Sequence, residues 1–168
     1  MKKLVALPAV GLAVLMSAGA AVTPARSHHS FAMFDDSKTY VFTGVVVRIN
    51  PDANHLQIYF APLNEERKSV LRDEAGKPVI WAVEMAGSAE VAREGVTVND
   101  FKPGTIVSVG LHPLRSGERA GDRQGGLFRC PEKTPPQPGK HCDSVADHTT
   151  HGEGALPAPT GPAPDQDI

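Results

Sequence analysis

All nine aromatic residues of this chain lie between Phe31 and Phe128. Aromatic side chains each bury roughly 150 to 250 Å² and dominate the energetics of small cores. A chain that lacks them at both ends must build its core in the middle. Proline shows the opposite trend, with 8 of the 15 after Cys130. A length of 168 residues sets an expectation of one domain.

The first segment reads as an address. Met1-Lys2-Lys3 is a short positive start, and Leu4 to Met16 is an apolar run shorter than the ~20 residues of a membrane span. The small residues Ser17-Ala18-Gly19-Ala20-Ala21 follow. This order is that of a secretory signal peptide, expected over residues 1–27. Ala18-Gly19-Ala20 would release a chain starting at Ala21; Ala25-Arg26-Ser27 would release one starting at His28. The later cut removes Lys2, Lys3 and Arg26, leaving 14 basic against 19 acidic residues, a net charge of -5 where the whole chain has -2. An acidic exported chain does not bind nucleic acid through a basic face. A periplasmic or secreted location follows, with no second apolar stretch to span a membrane.

Residues 131–168 have no aromatic and few aliphatics, and end in Leu156-Pro-Ala-Pro-Thr-Gly-Pro-Ala-Pro-Asp. Such a composition cannot offset the cost of ordering a backbone, about 1 to 2 kcal/mol per residue. The expectation is a disordered, proline-rich tail. Cys130 and Cys142 are the only cysteines, and export favours a disulfide between them. The rival is a metal site drawing on these two with His141, His148 and His151.

Residues 28–130 remain for the folded domain. Tyr40–Ile49 is β-branched, with Gly44 marking a bend or bulge. His55–Phe60 alternates, with Leu56, Ile58 and Phe60 on one face. Asn64–Lys77 is a charged, hairpin-like excursion, and Val79, Trp81, Val83 and Met85 alternate in a third strand. Ser88 can cap a short helix over Ala89–Glu94 that Gly95 ends. Thr105–His112 is a fourth strand, Pro113–Gln124 a polar loop, and Gly125–Arg129 a short fifth strand. Five strands with a helix between the third and fourth is the order of an all-β, OB-like barrel. A sandwich of similar size is the alternative.

The series His28-His-Ser-Phe-Ala-Met-Phe-Asp35, Thr43-Gly44-Val45, Asn50-Pro51, Trp81 with Glu84, Gly104, and His112-Pro113-Leu-Arg-Ser-Gly117 resembles a family of small exported bacterial proteins, domain of unknown function 6152. The resemblance spans about Ser27 to Phe128. It implies export and a compact β domain, and carries no assigned activity. The family commonly reads Asn-Pro-His at the first turn, where this chain has Asp52, and Gly-Asp before the fourth strand, where it has Gly104-Thr105.

His28 and His29 are the candidate metal ligands. Imidazole binds copper and zinc, and processing before His28 would place a free amine beside it. Glu84 and His112 could form an acid/base pair or a hydrogen bond closing the barrel. Trp81, Glu84, His112 and Arg115 are the candidate ligand-binding residues. No nucleophile elbow, phosphate loop or zinc-protease motif occurs. The first expectation is therefore a non-catalytic binding or adaptor module for a small ligand or envelope protein. A copper-handling protein using its processed N-terminus is the second, and an enzyme the third.

Overall fold

A computed structural model describes residues 31–52, 54–132 and 134–164. The signal segment and the His28–His29 pair lie outside the described residues.

The β-branched stretch forms the longest strand, β1 (Tyr40–Asn50). Its first part pairs with β4 (Ile106–Pro113) and its second with β2 (Gln57–Pro62), both antiparallel. Gly44 sits where the two pairings overlap. A Cβ there would lie 2.6 Å from the Phe60 ring and 2.8 Å from the Ala61 carbonyl oxygen, so only glycine lets the strands approach. The bulge itself falls between Val46 and Arg48 and turns Val47 out to solvent. Gly44 thus permits contact and does not make the bulge.

β2 pairs with β3 (Trp81–Glu84), and the excursion between them is bridged at Leu63–Val70 and Arg72–Pro78. The helix α1 (Ser88–Val91) continues as a 3-10 turn, Ala92–Glu94, and ends at Gly95 in the left-handed region, φ 80°. Ser88 is not its cap: Gly87 holds that position, and the Ser88 hydroxyl bonds the Asp52 carbonyl. Val91 from this helix, with Val96 and Phe101 after it, plugs the barrel core.

β5 (Ala120–Arg129) begins within the expected polar loop, because Ala120–Asp122 pairs in parallel with Ala82–Glu84. That pairing closes the order β3-β2-β1-β4-β5 into a barrel. The expected OB-like topology is therefore present and the sandwich is not. Phe42, Phe60, Trp81, Val109, Leu111 and Leu127 fill the interior.

The C-terminal segment departs from expectation. Cys130 and Cys142 form a disulfide, with Cα atoms 4.9 Å apart. Beyond it, β6 (Thr149–His151) pairs with Leu127–Arg129 of β5. Further on, the Thr160 amide donates to the Thr39 carbonyl at 3.0 Å, and Ala163 is 5% exposed within the core cluster. This is no disordered tail. Its composition cannot make a core, but the barrel's outer face supplies a trough of small and polar residues. A Cβ on Gly110 would lie 2.3 Å from Pro157 Cγ, and one on Gly125 2.3 Å from the Ala155 oxygen. The strand glycines leave room for the segment to lie down.

Candidate functional site

Where this segment crosses the barrel it encloses a cavity of 360 Å³ against β1 and the loop after β2. Val41, Leu63, Leu71, Pro159 and Pro162 form its apolar walls, and Arg67 and His141 lie among its polar ones. Pockets of this size and mixture suit small molecules.

Arg67 is the unusual member. It is 8% exposed and its backbone is left-handed, φ 60°, at the turn closed by its amide on the Asn64 carbonyl. A non-glycine residue there is uncommon. Nε donates to the Lys140 carbonyl at 3.0 Å, and Nη1 to the carbonyls of Leu63 and Asn64 at 3.4 and 3.3 Å. A guanidinium has five N–H donors. The two on Nη2 meet no acceptor, and no carboxylate pairs with Arg67, among the described residues. Burial pushes its pKa down, with Glu65 the opposing charge, yet the group stays cationic. Burial is the larger influence on the group, and burying a charge without a direct carboxylate partner carries a cost.

His141 reaches the cavity from the other side. Its Nδ1 lies 2.8 Å from Thr43 Oγ1, which lies 2.7 Å from Ser108 Oγ, which accepts from the Cys142 amide at 2.8 Å. Ser108 is fully buried. The Cys142 amide sets the direction of the chain. Ser108 accepts from it and so donates to Thr43, and Thr43 donates to Nδ1; the reverse order would leave the Ser108 hydroxyl without an acceptor. The ring is then neutral with its proton on Nε2. Burial, then the Arg67 charge, lowers its pKa, and Asp143 opposes them.

The residues singled out from sequence lie elsewhere. Glu84 and His112 do not touch; Asp122 stands between them, paired in register with each. Glu84 meets His55 Nδ1 at 3.0 Å, and His112 Nδ1 donates to the Lys38 carbonyl at 2.7 Å. Burial raises the Asp122 pKa, and its Oδ1 has no partner among the described residues. Trp81 is a core residue, 2% exposed, stacked at 4.7 Å on Phe42, with only its edge reaching a groove beside Arg115. Arg115 anchors the N-terminal arm through Asp35, Asp36 and the Ala32 carbonyl. Asp35 is held down to about 2 by hydrogen bonds from Ser37 and then Lys38. Trp81 and Arg115 thus line one groove while each also holds structure around it. The expected disulfide is present, which removes the rival metal site on Cys130 and Cys142, and no cluster of three or more potential metal ligands occurs among the described residues.

Sequence reading missed Arg67 because it sits in a run of charges, Glu65-Glu66-Arg67-Lys68, that reads as a solvated loop. It weighed His141 only as a metal ligand. The signal available was its neighbour Cys142, whose disulfide fixes the backbone beside it.

The model of a family of unknown function, DUF6152, matches residues 14–123. No curated protein and no solved structure matches the chain. The matched residues include Arg67 and end before His141.

Proposed function

The chain belongs to the DUF6152 family, and from that premise we propose that it is an exported, non-catalytic binding module whose ligand sits in the cavity between barrel and C-terminal segment. One observation carries this reading: Arg67, buried, lining the cavity and without an ion pair among the described residues, donates from Nε and Nη1 to three backbone carbonyls and makes no hydrogen bond through Nη2. A module that only folded would gain by replacing such a charge with an apolar side chain. The nearest acid/base candidates, Glu84 and His112, are instead engaged with His55 and a backbone carbonyl.

The test is a small-molecule fragment screen on isotopically labelled mature protein, read by amide resonances. Hits should cluster on residues 63–71 and 139–163. Hits confined to the Trp81–Arg115 groove, or none at all, would overturn the reading. Sequencing the N-terminus of the chain recovered from cells tests export; an unprocessed Met1 would remove that part.

A second reading rests on the sequence alone: His28 and His29 lie directly behind one of the two expected cleavage sites, and processing there would create an amine–imidazole copper chelate. Cu(II) should bind the processed chain far more tightly than a chain with extra residues before His28, or than His28→Ala/His29→Ala. Equal affinity in all three forms excludes it.

A further inference from the structure

We propose that the cavity between β1, the Arg67 loop and the C-terminal segment takes a small organic carboxylate, its anion held between Arg67 Nη2 and His141 Nε2 and its apolar body against Val41, Leu63, Leu71 and the segment's prolines. This rests on the reading of the chain as a binding module and names the class of its ligand.

Three donors on two cavity-lining residues have no acceptor among the described residues. Two are the Nη2 protons of Arg67, whose other three donors are tied to Lys140, Leu63 and Asn64 carbonyls. The third is the Nε2 proton of His141, placed there by the hydroxyl chain from Cys142 through Ser108 and Thr43. Convergent donors around one fixed cation recognise an oxyanion, and charge-assisted hydrogen bonds are the strong ones. An anion would also add a direct counter-charge to Arg67, which feels Glu65 without an ion pair to it among the described residues.

The remaining wall selects among oxyanions. Val41, Leu63 and Leu71 are 6%, 6% and 5% exposed, and Pro159 and Pro162 face them across the cavity. A phosphate or sulfate would leave this wall bare, whereas a carboxylate with a short hydrocarbon body covers it and gains its transfer free energy. A single guanidinium also balances a monoanion. Glu65 also lines the cavity and forms no ion pair with Arg67 among the described residues. Its charge disfavours a doubly charged anion more than a singly charged one.

Butyrate, its neutral isostere butyramide, and inorganic phosphate are the probes, each titrated into labelled mature protein. Butyrate should shift amides of residues 63–71 and 139–143 saturably, and the other two should bind about tenfold more weakly or less, the loss expected for one charge-assisted contact. Arg67→Gln should weaken butyrate by a similar factor, and Glu65→Gln should leave or strengthen it. Arg67 also ties the loop to Lys140, so Arg67→Gln could unfold the site; the wild-type comparison of butyrate with butyramide then decides alone. Equal binding of the amide, or tighter binding of phosphate, overturns the carboxylate assignment and leaves the binding module standing. Silence at these residues for all three probes and for the fragment set overturns both.

Discussion

Strands β1 to β5 seal Phe42, Phe60, Leu111 and Leu127 completely from solvent, whereas the chain beyond Cys130 reaches the barrel through one disulfide, scattered hydrogen bonds and a handful of buried side chains such as His151 and Ala163. The first region makes its own interior. The second only completes the outside of another's, lying over Gly110, Gly125 and Gly126 and feeding the Cys142 amide to Ser108. Composition measures the first ability and is blind to the second. A segment need not bury much apolar surface of its own if its partner already presents a shaped trough.

The sharpest way to break this contrast is to damage each region separately. Trp81→Ala, inside the barrel, should cost about 3 to 5 kcal/mol in urea melts. A cost as small as a surface substitution would place the indole outside the core. Replacing Cys130 and Cys142 by serine should cost up to about 3 kcal/mol, because the loop they close is short. Hydrogen exchange should then quicken over 141–163 before it does in β1 or β4. Gly110→Val drives a side chain into Pro157 and should cost about 1 to 3 kcal/mol, the range for overpacking. Its effect should shrink in a chain ending at Ser144, which lacks Pro157 but keeps the Gln124 carbonyl 3.1 Å from that Cβ; an undiminished cost there would show that the strain lies within the sheet.

The smallest effect is the dependence on pH. His151 is 5% exposed, its Nδ1 donates to the Glu94 carbonyl at 2.9 Å, and its Nε2 has no partner among the described residues. Burial lowers its pKa, with Arg129 and Arg123 adding to the effect; the Glu94 carbonyl and Asp100 oppose them. The folded segment therefore binds fewer protons than the unfolded one. Stability should be full above the ordinary imidazole value of 6.5 and fall as pH drops below it, towards the lowered folded value. His141 shifts the same way, through burial and Arg67. His151→Leu should flatten the slope measured between neutral and mildly acid pH; an unchanged slope would assign it to other groups.

The barrel was legible in the sequence because period-2 alternation in Leu56–Phe60 and Val79–Met85 reports a face, and a barrel is built from faces. The glycine-ended helix was legible for the same local reason. Gly110, Gly125 and Gly126 were visible too, but their meaning depends on Pro157 and Ala155, which lie some thirty to forty-seven positions further along. The same distance hid the cavity. Arg67 and His141 are each unremarkable in their own neighbourhoods, and only the fold sets one against the other. Local chemistry did reach the disulfide, since two cysteines admit one pairing.

β5 is paired along one side by β4, and on the other by β3 at its start and β6 at its end. The barrel therefore closes over Ala120–Asp122 only, and Leu127–Arg129 would be an open edge without Thr149–His151. Such an edge invites another chain to add a strand. β6 covers that edge. A chain cut after Ser144 should retain its barrel yet dimerise or aggregate through β5, visible as a concentration-dependent mass. Because the Cys130–Cys142 disulfide anchors the chain shortly before Thr149, β6 stays with its own barrel while that bond is intact.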